Sequence, residues 1–224
     1  MSRRAAALAA AVAAGCVAVS ACSSVQMGAA AIAGSNRISS ATLTTASANL
    51  SAAYQTDKAK KVTPQAAVGQ ATQQALTWLI RFQIGERVAK QHGINVTPAQ
   101  VDREFSALSS AARSNKVTVA EYVSVLYALP PDLVPQFGRY AAILSTLEGQ
   151  ITGGTVPSTQ AGQTKLTNAV GHQQCLASKS LGVSVNPQFG EFDYTTFTVV
   201  PAPPTLAANP SPSKAAAVKL TPPC

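Results

Sequence analysis

A chain of 224 residues has room for one or two domains, and its make-up is 46% hydrophobic with only 12% charged residues. The formal net charge is +8, yet the bases are scattered, with Lys58, Lys60 and Lys61 the only tight cluster. No aromatic–basic recognition motif accompanies them, which excludes nucleic acid as the natural partner.

Residues 1–21 read as a leader and not as part of the fold. "MSRR" is a positive start, and "AAALAAAVAAGCVAV" is an uncharged apolar run, shorter than the roughly 20 residues that span a bilayer. "VSAC", Val19 to Cys22, resembles the lipobox of bacterial lipoproteins. That resemblance implies cleavage before Cys22, acylation of its thiol and of the new N-terminus by chains such as palmitate, and a place on the outer face of the cytoplasmic membrane. An ordinary secretory signal cleaved nearby stays open as the alternative. One acyl chain binds only marginally; each buried CH₂ adds about 0.8 kcal/mol, so two or three chains anchor stably. Loss of Arg3 and Arg4 takes the net charge from +8 to +6. A positive balance suits an anionic lipid surface, where each nearby base adds about 1 kcal/mol.

Export frames the cysteines as well. Cys16 leaves with the leader and Cys22 takes lipid, so Cys175 and Cys224 remain, an even pair in an oxidising compartment. A disulfide between them would stabilise the fold by about 4 kcal/mol on the chain-entropy model. Two unpaired thiols, one on a helix and one on the tail, are the other reading.

After a polar spacer, 22–28, the small apolar run "AAAIAG" suggests a short strand ending at Gly34. A first helix follows, capped by Ser39, with Ile38 and Leu43 placed as a hydrophobic staple, and runs to about Gln55. "TDKAKKV" is a charged loop. The second helix begins at Thr63 with Pro64 in its first position and stops at Gly93. Leu76, Leu79, Ile80, Ile84 and Val88 form one stripe and Trp78, Phe82 and Ala89 a second, which predicts a central helix. Thr97, Pro98 and Gln100 mark the third start, with Val101, Phe105 and Leu108 as its buried face; Thr118 and Glu121 mark the fourth, which ends before Pro130. Leu133, Phe137, Tyr140, Leu144, Leu147 and Ile151 alternate by four and three, a heptad seam. A last helix spans about Thr159–Ser180, with Leu166, Ala169, Val170, Gln173, Leu176 and Ala177 on one side and Gly182 as its stop. "VNPQFG" makes a turn, "TTFTVV" reads as a strand, and 201–224, with seven prolines, reads as an extended, disordered tail.

Three of these pieces resemble one family. "AAAIAGSNRIS", the block 75–108 with its A-x-x-x-G-I-x-V-T pattern and Val-Asp helix, and "VSVNPQFGEFD" are similar in order and spacing to SurA-like extracytoplasmic foldases. The resemblance implies a mainly α domain over 29–200, a five- to six-helix SurA N-terminal-like fold with a small β-strand pair joining the N- and C-terminal segments. Val183–Val185 or Phe197–Val200 is then expected to pair with Ala29–Ala33. Many relatives carry a parvulin prolyl isomerase domain before the last helix. Here only "TGGTVPSTQAG" stands there, and the parvulin His and Gly-rich motifs are absent.

No residue pattern points to catalysis. His92 sits beside Gly93, where an imidazolium suits a helix C-terminus. His172 and Cys175 share a helix but lack an orienting partner. No metal or cofactor is implied. The resemblance implies a chaperone-like protein without isomerase activity that holds unfolded or exported polypeptides. Trp78, Phe82, Tyr122, Tyr127, Phe137 and Tyr140 are the candidate client-binding surface; a closed core made of the same rings is the other reading. A cell-envelope lipoprotein docking to one specific partner is the alternative function.

Overall fold

The structure, a computed structural model, describes residues 28–59 and 70–202. Among them are β1 (Ala29–Ala33), β2 (Asn36–Ser39), α1 (Ser40–Ala59), α2 (Ala71–His92), α3 (Pro98–Ser114), α4 (Val119–Tyr127), α5 (Val134–Thr152), α6 (Gln160–Leu181), β3 (Ser184–Val185), β4 (Glu191–Asp193) and β5 (Thr198–Val200). The fold is mainly α, as the sequence predicts.

α2 is the axis. It packs against α1, α5, α6, β1 and β5, because a helix with two apolar stripes can bury both only with neighbours on both sides. Leu76, Trp78, Ile80, Ile84 and Val88 are all buried. Gly85 sets the closest approach: a Cβ there would lie 2.7 Å from the Tyr140 ring, so α2 and α5 meet at a distance only glycine permits. The start expected at Thr63 and Pro64 lies outside the described residues. α1 runs on to Ala59, a turn beyond the end expected at Gln55.

Helix ends follow local chemistry. Thr97 and Gln100 form a reciprocal capping box on α3, and Thr118 and Glu121 another on α4. Ser39 accepts a hydrogen bond from the Thr42 amide at 3.0 Å at the start of α1. Gly93, Gly153 and Gly182 take left-handed conformations and close α2, α5 and α6. The heptad seam of α5 is mostly buried, but Leu133 lies in the short turn before the helix and Ile151 is exposed. The expected side of α6 needs correction. Leu176 faces solvent, and Gln174, Cys175 and Ser178 are buried with Val170 and Ala177. The hydroxyl of Ser178 is satisfied by the Cys175 carbonyl at 2.8 Å, which lets a polar residue turn inward.

The first strand and the segment after the last helix meet in one sheet, ordered β2-β1-β3 and antiparallel throughout. Val185 lies opposite Ala31 and Ser184 opposite Ile32. Asn186 extends the seam, its amide donating to Ala30 O at 2.9 Å and its side chain to Ala29 O at 3.2 Å. β2 is a further strand where the sequence suggested only the approach to α1. Gly34, at a φ of 63°, turns the chain back so that Asn36–Ser39 pairs with β1. Of the two strands proposed to close onto β1, the first does so. The second, β5, pairs with β4 in a separate two-stranded sheet. Gly190, at a φ of 124°, makes that pairing possible, since a Cβ would collide with the Val200 carbonyl oxygen.

Candidate functional site

The six rings singled out from the sequence form one connected series. Trp78 meets Phe82 at 5.8 Å between centroids, Tyr140 at 6.0 Å and Phe137 at 5.3 Å. Phe137 meets Tyr127 at 5.3 Å, and Tyr127 meets Tyr122 at 6.4 Å. Several of these contacts are edge-to-face, the arrangement ring quadrupoles favour.

The series runs from the interior to the surface. Trp78, at 5% exposure, belongs to the core together with Phe137 and Tyr140, while Phe82 and Tyr122 are half-buried. Tyr127 is 42% exposed. Helix termination places it there. Ala128 adopts the left-handed conformation at a φ of 51° and ends α4 directly after Tyr127. The indole Nε1 of Trp78 donates to the Tyr127 carbonyl at 2.8 Å. The backbone of Tyr127 is thus fixed by the innermost ring while its side chain reaches solvent.

Two hollows share Tyr127. One, of about 270 Å³, lies between α3, α4 and α5 and is lined by Ala107, Leu108, Ala111, Tyr122, Tyr127, Phe137 and Ala141, with Glu104 at its rim. The three alanines leave the space, and the aromatic rings supply an apolar wall. The other, of about 340 Å³, lies between α2 and β5 and is more polar, with Gln70, Gln73, Gln74, Thr77, Trp78 and Arg81 facing Thr198–Pro201.

Arg81 and Thr77 hold the terminal hairpin against α2. The Arg81 guanidinium stacks 5.1 Å over Trp78, and its Nε donates to the Phe197 carbonyl at 3.0 Å. Thr77 Oγ1 accepts from the Val199 amide at 2.8 Å. Burial draws Arg81 below its ordinary value, with Tyr140 acting the other way. Burial pushes the phenols of Tyr127 and Tyr140 up, helped at Tyr127 by Tyr122 and opposed at Tyr140 by Arg81. Near the groove rim, burial and then the neighbouring Glu104 raise the Glu148 carboxyl on α5.

The polar groups weighed for chemistry have structural partners. His92 Nε2 lies 3.0 Å from the Gln173 side-chain oxygen, tying α2 to α6. Cys175 is disulfide-bonded, so it offers no thiolate to His172. Cys224, the partner expected for it, and Cys22, the expected lipid site, lie outside the described residues, as does the tail from 203. Among the described residues no group of three or more His, Cys, Asp or Glu could hold a metal ion, and no helix is long and apolar enough to cross a membrane.

Sequence reasoning found the rings but not what surrounds them. Arg81 had a visible signal, a cation three residues after Trp78 inside an apolar stripe. Ala107, Ala111 and Ala141 had none, since alanine spacing does not tell a hollow from a close contact. A family model described as SurA-like N-terminal domain matches residues 4–129. The match takes in β1 to α4, and with them Trp78, Phe82, Tyr122 and Tyr127; Phe137, Tyr140 and the 185–193 segment lie beyond it. No curated protein and no solved structure matches the chain.

Proposed function

The chain belongs to the SurA-like N-terminal domain family, a chaperone-like one, and from that premise we propose that it is a lipid-anchored, extracytoplasmic holdase without isomerase activity. Cys22 carries the lipid, and the clients are unfolded or exported polypeptides. The groove between α3, α4 and α5 receives an apolar client side chain against Tyr122 and Tyr127. The observation that carries this reading is the ring series itself, anchored in the core at Trp78 and open at Tyr127. Such a site is pre-organised, so little ordering cost opposes binding. Binding rests on apolar burial, roughly 25 cal/mol per Å², and needs no covalent step.

An aggregation assay tests the proposal. The mature protein is expected to suppress aggregation of a chemically denatured client at stoichiometric amounts, and Tyr127→Ala to lose most of that effect. Undiminished aggregation with the wild-type protein would sink it. Affinity capture that returns one stoichiometric partner and no unfolded chains would favour the single-partner reading.

A further inference from the structure

The described chain leaves the domain beside the aromatic series. Pro201 lines the hollow that Tyr127 shares with the groove. Far from it in sequence, Cys175 is 2% exposed on α6 and disulfide-bonded. We propose that Cys224 is the partner of Cys175 and that the segment 203–224, closed by this bond, is the resident occupant of the Tyr127 groove. It would act as a built-in competitor for polypeptide. The occupancy half of the inference rests on the holdase reading of the groove, and the disulfide half on the lipidation of Cys22 proposed above.

Four observations support it. First, the sequence holds only Cys16, Cys22, Cys175 and Cys224. A lipoprotein leader removes Cys16 and blocks the thiol of Cys22, which leaves one candidate. Second, the reach is ample. A proline-rich chain extends about 3.1 Å per residue, so 203–224 spans about 70 Å. α5 lies between α3 and α6, so a chain running through the groove reaches α6 by crossing one helix, a step of about 10 Å.

Third, the chemistry of occupant and site agrees. Pro203 and Pro204 come two and three residues after Pro201, which lines the hollow, and Leu206, Pro210 and Pro212 come next. Proline-rich segments dock into aromatic-lined grooves because they are already extended and lose little entropy on binding. Fourth, charge agrees. The segment has Lys214 and Lys219 and no acid, whereas Glu104 stands at the groove rim within electrostatic range of Glu148. Tethering at both ends gives the occupant an effective concentration in the millimolar range, enough to set a threshold that a free client must exceed.

Peptide mapping of the mature, unreduced protein is the first test. A linked Cys175–Cys224 peptide is expected; free thiols at both positions, or a bond from Cys175 to Cys22, overturn the proposal. The second test measures deuterium exchange over 104–111 and 122–127 in the full chain before and after reduction, and in Cys224→Ser combined with Pro203→Ser and Pro204→Ser. Faster exchange in the opened forms is expected. Unchanged exchange overturns occupancy, whether or not any client binds. The third test measures binding of carboxymethylated α-lactalbumin as an unfolded probe. The opened forms are expected to bind about tenfold more tightly, with a synthetic 203–223 peptide competing in trans. Equal binding by closed and opened forms overturns the inference and leaves the holdase reading standing. Absence of binding by every form removes that reading, and the exchange data then decide occupancy alone.

Discussion

α2 and α3 carry apolar residues at the same helical spacing and meet opposite fates. α2 buries residues along its whole length, from Ala71 to Ala89, whereas α3 buries only Ala112. The difference lies in their neighbours. α2 is enclosed by α1, α5, α6 and two strands, while α3 leans on α5 and the short α4. Periodicity announces that a helix has an apolar face; only the rest of the fold decides whether something covers it. The half-covered side of α3, with Leu108 and its alanines, is where the groove opens.

Paired substitutions can break or sharpen this contrast. Trp78→Ala removes the innermost ring and should cost about 3–5 kcal/mol in chemical denaturation. Tyr127→Ala, at the exposed end, should cost less than about 1 kcal/mol while weakening client binding. Similar stability losses for the two would mean that the ring series has no inside and outside. Next come the glycines of the two interfaces. Gly85→Ala drives a Cβ into the buried Tyr140 ring and should cost about 1–3 kcal/mol. Gly138→Ala meets Phe105, also at 2.7 Å, but that ring is half-buried and can swing away, so a smaller loss is expected. A larger loss at Gly138 would show that α3 is as firmly held as α2.

Thr97→Ala removes one half of a capping box and should cost about 1 kcal/mol. Faster amide exchange at the start of α3 is the local readout. The smallest effect is a pH dependence in the terminal hairpin. Burial acts to raise the Asp193 carboxyl, but hydrogen bonds from Thr195 and Thr196 outweigh it and hold the group below its ordinary value. A folded-state value below the unfolded one, about 3.9, means that the contribution is complete above that pH. It is lost as pH falls through the folded value. The Tm difference between wild type and Asp193→Asn should therefore shrink on acidification below about pH 4; a difference that grows instead would contradict the assignment.

What the sequence made legible was local. Thr97 with Gln100, Thr118 with Glu121 and the stops at Gly93 and Gly182 act within a turn of their own position, so the chemistry that creates them can be read from a few adjacent letters. The closing strand at 184–185 was legible only through its resemblance to family sequences. β2 and the β4–β5 pairing were not, because they depend on where a distant backbone edge lies. The inward turn of Gln174 follows the same rule, since its side chain accepts a hydrogen bond from Tyr140 at 3.3 Å across the α5–α6 contact. The six rings could be named from spacing, yet the grading from sealed to open comes from the point where α4 stops.

The order of strands in the small sheet also constrains how the molecule is made. β1 occupies the middle position, between its immediate neighbour β2 and the far later β3. During synthesis β1 thus keeps one edge unpaired until the chain has been made as far as Val185. Final closure awaits the arrival of Ser184 and Val185, and a pause before that moment leaves a naked strand open to foreign pairing.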